Sequence, residues 1–517
     1  MDNPPLYRQL ADHYRAAITA GTIAQGQRVP SVRAIMRQHG VSLSTALQAC
    51  RQLEQEGWLE ARPRSGYFAS SPRRSTVLRL PEPDTGSTPD PAQYVGIHAR
   101  VSDYIARGRA YPIKTNFSGA RAAPSLYPAE ELRKAGVRAL RRDAHVLVRA
   151  APAGGNRHFR AVLAKRALEN GLVISPEEIT VTHGCIEALN LALRAVTQPG
   201  DTVAVESPTF YGLLQILESL GLRALEIPTS ATTGLSIEAL ELAVRAYGNI
   251  KAVVVVPHLQ NPTGSIMPDA HKQRLVRLCE QQAIPLIEDD TYSALADGEN
   301  PSTSLKAWDR SGNVIHCASL HKTLAPGMRM GWMVAGRWQA RVAMLKYAQT
   351  RDNPDWPQAT LAEFLESSAY DRHLRRLRVA LRRQRERMAE AIATHFPLGT
   401  RMSIPDSGVT LWVALPEQAS SSEVFDAALL RGILFAPGSV FSNSDRFEHC
   451  MRINCGEPWS EQLDDAVRTL GELVRDAGNA GRRKPGALRP ALMPAPVPAP
   501  ATLGATATWF DAIGDDC

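Results

Sequence analysis

Apolar positions near the N-terminus recur every three to four residues. Leu6, Leu10, Tyr14, Ala17 and Ile18 share one helical face, and Gly21 closes that run. Ser31 follows Pro30 as the N-cap of a second helix that ends at Gly40, and Ser42 caps a third. In the third, Ala46, Leu47, Cys50 and Leu53 turn inward and Gly57 is the stop. The pattern then alternates: residues 58–61 and 67–69 flank a basic turn, Arg62-Pro-Arg-Ser-Gly66, and read as a two-stranded hairpin. Three helices followed by a hairpin predict a winged helix-turn-helix over residues 1–70.

From about residue 116 helical patterns alternate with short apolar runs at 180–182, 202–205, 252–256, 284–287 and 314–317. This alternation predicts an α/β body over 116–478, with a mostly parallel sheet covered by helices on both faces. The intervening stretch, 71–115, is rich in Pro, Ser, Thr, Asp and Arg, a composition that keeps a chain extended, so a flexible linker is expected there. After residue 478 a basic patch precedes a Pro/Ala run over 490–500 that cannot pack, and 479–517 is expected to be disordered.

A length of 517 residues allows roughly three domain equivalents. No apolar run approaches the ~20 uncharged residues of a membrane span. The start, Met1-Asp2-Asn3-Pro4-Pro5, lacks a signal peptide's basic and apolar regions. A cytoplasmic location is expected, nucleoid-associated when on DNA. The seven cysteines are odd in number and form no CxxC pair, which points to reduced thiols rather than to disulfides or zinc, and no metal is expected. A net charge of +7 permits nucleic-acid binding without establishing it.

The third helix carries short polar residues and donors where a reading helix enters the major groove: Ser42, Ser44, Thr45, Gln48 and Arg51. Arg33 on the second helix, and Arg62, Arg64 and Gly66 at the hairpin, are placed to meet phosphates or the minor groove. The other reading of this region is a small helical module that binds protein, its charges forming a solvated face.

In the body each apolar run ends in a polar or turn-forming cluster. Lys322 follows the 314–317 run, at a strand end where α/β sheets bind ligands. A desolvated lysine there is a nucleophilic amine that condenses with an aldehyde, of which pyridoxal phosphate is the common example. Ser319 and Arg329 supply a hydroxyl and a fork of donors for a phosphate, and Gly184 and Cys185 open a helix whose bare amides can hold one. Phe210 offers an aromatic face, Asn261 an amide for a phenolic oxygen, Asp289 a carboxylate for a pyridine nitrogen and Tyr292 a phenol. Taken singly each has an ordinary reading: a turn, a core aromatic, a β-turn, a helix cap. Their joint occurrence in this order gives them weight.

The segments Leu6-Tyr-Arg-Gln-Leu10, Gly26-Gln-Arg-Val-Pro-Ser-Val-Arg33, Gly40-Val-Ser42 and Leu53-Glu-Gln-Glu-Gly-Trp-Leu59 resemble the DNA-binding domain of GntR-type bacterial regulators. Leu43 departs from the arginine common directly after Val-Ser, a missing guanidinium at a base-reading position, so no operator sequence is carried over from relatives. The clusters of the body resemble class I aminotransferases of fold type I. That resemblance implies that Lys322 forms the internal aldimine of pyridoxal phosphate and that Asp289 pairs with the pyridine nitrogen. It further implies that Asn261 and Tyr292 bond the phenolic oxygen, Phe210 stacks, and Gly184, Cys185, Ser319 and Arg329 hold the phosphate. Arg452, in Met451-Arg-Ile-Asn-Cys-Gly456, stands where the family grips a substrate carboxylate. Ala150 replaces a tyrosine that reaches the neighbouring subunit's phosphate, and His321 a small hydroxyl residue.

A GntR-type head joined to an aminotransferase-like body resembles the MocR group of bacterial transcription regulators. The resemblance implies a homodimer with each head near the partner's body, double-stranded operator DNA as one partner, and an amino-acid-like effector sensed through Lys322. The second reading is an active aminotransferase with an attached DNA-binding domain.

Overall fold

The computed structural model describes residues 5–24, 26–55, 58–62, 66–69, 78–297, 303–416 and 419–482. The chain divides into two compact units, Met1–Thr76 and Val77–Cys517.

In the first unit the helices Leu6–Thr19, Val32–His39 and Leu43–Gln55 precede an antiparallel hairpin of Leu59–Arg62 and Gly66–Ala69. The caps act as their chemistry requires. Ser31 Oγ accepts from the Ala34 amide at 3.3 Å, and Gly40 ends its helix in the left-handed region at φ 62°. Leu10, Tyr14, Ile35, Ala46, Cys50, Leu53 and Leu59 bury together as one core. Each large apolar side chain removed from water there is worth about 1.5–3 kcal/mol, which pins the third helix with its opposite face outward.

In the second unit the strands Arg223–Ser230, Thr202–Ser207, Ile250–Val255, Leu286–Asp289 and Val314–Ser319 run parallel in that spatial order. Gly331–Val334 pairs antiparallel beside the last of them and Ile179–Thr182 closes that edge. Nearly every residue of the parallel strands is buried, which is why they read as continuous apolar runs. Arg223–Ser230 escapes the apolar pattern because Arg223, Glu226 and Pro228 interrupt it. A second sheet is built on the antiparallel strands Thr410–Ala414 and Cys450–Asn454, near the long helices Ser368–His395 and Glu461–Arg482.

Two expectations about the connections change. The stretch 71–115 is not a free tether over its length, because from Leu78 onward it belongs to the second unit. Leu78–Arg79 pairs with Arg401–Met402, Gln93–Tyr94 with Arg223 and Ala224, and the helix His98–Ala110 buries Val101 and Tyr104 behind Ile97. Those helical spacings of four and three residues are masked by the Pro-rich composition around them. Residues 71–77 lie outside the described residues. At the other end the helix Glu461–Arg482 runs past residue 478, and the remainder of the expected tail, 483–517, lies outside them as well. No helix among the described residues is long and apolar enough to cross a membrane.

Candidate functional site

The ends of the parallel strands line a partly open pocket. Lys322, Gly184, Cys185, Phe210, Asn261, Asp289, Tyr292, Ser319, Arg329 and Arg452 all line it, so every pocket residue singled out from the sequence converges on one cavity. Tyr211, Ile186, Val256, Ala120, Thr291 and His321 complete the lining.

One corner brings a helix start, a hydroxyl and a guanidinium together. Gly184, at φ 79°, opens the helix Gly184–Val196. A Cβ there would stand 3.9 Å from Ser319 Oγ and 4.0 Å from Arg329 Nη2, so amide, hydroxyl and guanidinium converge. This closeness depends on Gly331. A side chain at Gly331 would come within 2.7 Å of the Gly184 backbone and of the Ala318 carbonyl oxygen, so only glycine lets the helix start rest on the strand. Arg329 itself sits in the left-handed region at φ 48°, a conformation that costs a non-glycine residue on the order of 1 kcal/mol and is held by the surrounding turn.

Across the pocket Asp289 Oδ1 accepts from the Thr291 hydroxyl at 2.6 Å, the Thr291 amide at 3.1 Å and the Cys185 thiol at 3.1 Å. Burial raises its carboxyl above the usual range and these donors pull it partly back. A cationic partner such as a protonated ring nitrogen would complete its compensation. Thr291 is not singled out by the sequence pattern, although the Asp-x-Thr spacing is that of an Asx-turn. Strand alternation turns Glu288 and Asp290 the other way, into a cluster with His258 and His316. His258, Glu288 and Asp290 bring ligand-type atoms within 4.8 Å of one another, but buried Lys272 Nζ lies 2.9 Å from His258 Nε2 and 3.2 Å from Asp269 Oδ1, so an amine already occupies one side of the cluster.

Arg452 is 1% exposed. Its Nη1 donates to Asn261 Oδ1 at 2.9 Å, Nη2 donates to the Ser118 carbonyl oxygen, and the guanidinium lies 5.0 Å from the Phe441 ring centroid. With Oδ1 engaged, Asn261 has its NH₂ group left to offer as a donor. Tyr292 donates to the Ala120 carbonyl oxygen at 3.2 Å. The Phe210 ring stands so close over Gly212 that a Cβ there would fall 2.4 Å from it. Lys322 is 9% exposed, and its carbonyl oxygen takes the Tyr127 hydroxyl at 3.1 Å. A buried amine, a corner where an amide, a hydroxyl and a guanidinium meet, a buried carboxylate and a donor amide are the set that pyridoxal phosphate needs, so the residues present fit it.

In the first unit Ser42 Oγ accepts from the Thr45 amide at 3.2 Å and lies 2.8 Å from both the Ser44 and Thr45 hydroxyls. The three hydroxyls therefore form a cap at the start of the third helix. Ser44, Gln48 and Arg51 are exposed on its outer side, as are Leu43 at its first turn and Arg33 on the second helix. Gly66 starts the second hairpin strand at φ 94°. Arg62 closes the first by its backbone, its side chain lying outside the described residues together with Arg64.

Two family models match the chain: aminotransferase class I and II over residues 120–470, and the gntR family of bacterial regulatory proteins over 6–68. The HTH-type transcriptional regulator YdcR of Escherichia coli K12, itself described as uncharacterized, is 36% identical over 471 residues, which cover 91% of this chain and 99% of YdcR. The chain belongs to the MocR-type family, in which a GntR-type head is fused to an aminotransferase class I and II body. A second MocR-type relative, YjiR of the same strain, is 35% identical over 90% of this chain and 98% of YjiR. Among solved structures, the MocR-type body is similar to LysN, the α-aminoadipate aminotransferase of Thermus thermophilus complexed with N-(5'-phosphopyridoxyl)-L-leucine. The TM-score is 0.67 at 27% identity, over 74% of this chain and 96% of LysN.

Proposed function

We propose that the chain is a pyridoxal-phosphate-dependent, DNA-binding transcription regulator whose body responds to an amino-acid-like effector. The observation that carries this reading is the convergence of Lys322, Asp289, Asn261 and Arg452 on one pocket in a chain that also bears a GntR-type head.

When bound, the cofactor supplies an electrophilic aldehyde carbon and a ring that accepts electrons. Lys322 supplies the amine that anchors it. Gly184, Cys185, Ser319 and Arg329 hold the phosphate. Asp289 keeps the ring nitrogen protonated, Asn261 donates to the phenolic oxygen with Tyr292 beside it, and Phe210 covers the ring. Arg452 receives the effector's carboxylate, exchanging its bonds to Asn261 and Ser118 for a bidentate pair. An effector that makes those bonds in only one arrangement of the body shifts the chain toward that arrangement.

In the head the helix Leu43–Gln55 reads the major groove of double-stranded operator DNA through Ser42, Ser44, Thr45 and Gln48. Arg33, Arg62, Arg64 and Gly66 contact the backbone or the minor groove. The protein acts in the cytoplasm, on the nucleoid when bound, as a homodimer suited to two half-sites. DNA fragments selected from a random pool by the full chain, titrated with and without pyridoxal phosphate and a panel of α-amino acids, test the reading. A shift in affinity that needs both small molecules supports it, and affinity indifferent to both overturns it.

The completeness of the pocket favours a second reading, an active aminotransferase with an attached head. Steady keto-acid release with amino transfer to a second substrate, at a rate unaffected by operator DNA, would select it.

A further inference from the structure

One titratable ring of the pocket has no part in the roles above. His321 is 8% exposed and lines the cavity with Ser319, Lys322 and Arg329. Its Nδ1 lies 3.2 Å from the Pro326 carbonyl oxygen, which can only accept, so Nδ1 carries the ring proton. Nε2 is left as a bare lone pair, buried and without a hydrogen-bond partner. A buried polar atom in that state lacks the bond that would offset its desolvation.

The charges that face the ring are Lys322 beside it, Arg329 from the turn after the lysine, and Arg121 from the segment ahead of the helix Ala129–Arg142. Tyr127, on the Lys322 carbonyl, and His373 of the helix Ser368–His395, on the Thr323 carbonyl, bracket the same segment. The other titratable groups of the pocket are Cys185, Tyr211, Asp289, Tyr292 and Arg452. Burial, then the charges of Lys322 and Arg329, push the ring down to about 3, so it is neutral while no anion is present.

We propose that His321 is a further anion-binding residue of the pocket, and that a phosphate monoester entering the cradle of Gly184, Ser319 and Arg329 draws a proton from solvent onto Nε2. The inference rests on reading that cradle as a phosphate site. Its physical basis is that a dianion gives the unpartnered Nε2 an acceptor, which offsets the burial of the charged ring, and also cancels the field of the neighbouring cations. Nδ1–H remains committed to Pro326, so Nε2 becomes a donor only when the ring is cationic. One proton moves from the buffer to the ring and no other bond breaks. A serine or threonine at this position would bind phosphate without taking up a proton. With His321, phosphate binding strengthens as the pH falls, which links cofactor loading to cytoplasmic acidity.

Pyridoxine 5'-phosphate, which has no aldehyde and cannot react with Lys322, is the probe. Its affinity for the cofactor-free full chain is measured near pH 8 and near pH 6, for the wild type and for His321→Asn, whose amide keeps a donor toward Pro326 but cannot be protonated. The variant's Kd relative to the wild type is expected to rise about fivefold or more over that interval. Calorimetry in two buffers of different ionisation enthalpy is expected to show greater proton uptake by the wild type, and His321→Ser repeats the comparison should His321→Asn fold poorly. Identical pH dependence and proton uptake would overturn the role of His321 while leaving the phosphate site in place. No binding of the ester by a wild-type chain of normal melting temperature would overturn both.

Discussion

Arg452 Nη1 lies 2.9 Å from Asn261 Oδ1, so one guanidinium ties the strand Cys450–Asn454 to the turn that follows the strand Ile250–Val255. The residue assigned to the effector's carboxylate is thus bonded to the residue assigned to the cofactor's phenolic oxygen. With the proposed roles, occupying one would change the setting of the other, and the effector would act on the body through this bond.

Replacing Arg452 with lysine keeps a charge and removes the fork. Once loaded with cofactor, Arg452→Lys is expected to bind α-amino acids at least about tenfold more weakly, a loss of about 1.4 kcal/mol. Amines without a carboxylate should be unaffected. Spectral titration of the loaded protein with an amino acid and with its decarboxylated analogue provides the comparison, and equal losses for both would remove the carboxylate role.

Gly331→Ala places a methyl group 2.7 Å from the Gly184 backbone. Overpacking of this kind costs about 1–3 kcal/mol. Because the strain falls on the anion cradle, retention of phosphorylated ligands should drop more than the melting temperature suggests. Non-phosphorylated pyridoxal, tested in parallel, should lose little.

Much of this site was legible in the sequence because the chemistry sits at strand ends, and buried parallel strands announce themselves as apolar runs. Lys322, Asp289 and Asn261 each follow such a run, and all three line the pocket. The head was legible for a different reason: Ser31, Gly40 and Ser42 are caps whose local chemistry fixes where the helices begin and end. Long-range geometry was not legible. Nothing in the chain order indicates that Gly331 rests on Gly184, that Arg452 bonds Asn261, or that Thr291 and Cys185 share the Asp289 oxygen. The stretch 78–115 was obscured because a few buried residues, Val95, Ile97, Val101 and Tyr104, are diluted among prolines and polar residues.

Glu206 lies behind the pocket at 1% exposure, with Oε2 accepting from the Val256 amide at 3.0 Å. Burial pushes its carboxyl up to about 8, outweighing that bond and the Gln260 amide. A carboxyl whose folded value is raised contributes stability that is present below its unfolded value, near 4.5, and is lost as the pH climbs through about 8. The cofactor-free body should therefore weaken between pH 5 and pH 8, by at most about 1.4 kcal/mol per pH unit from this group. Glu206→Gln should flatten that slope in urea unfolding, and an unchanged slope would show that Glu206 stays ionised throughout.

On the head, Arg33→Ala should weaken binding to all DNA sequences alike and reduce the salt slope by about one, as loss of a phosphate contact does. Gln48→Ala should instead relax selectivity at one base pair, costing about 1–3 kcal/mol on the selected sequence and little on unrelated DNA. Binding curves at several salt concentrations separate the two. A change in selectivity from Arg33→Ala would contradict its placement on the backbone.

With Lys322 as the contact through which the body informs the head, Lys322→Ala should silence the response and spare the binding. The wild type treated with pyridoxal phosphate and borohydride should retain a permanent absorption band on the peptide that contains Lys322. The variant should retain none, while still binding selected DNA with near-wild-type affinity and no longer answering pyridoxal phosphate with an amino acid. A folded variant that keeps the full response, or loses all DNA binding, would contradict that role.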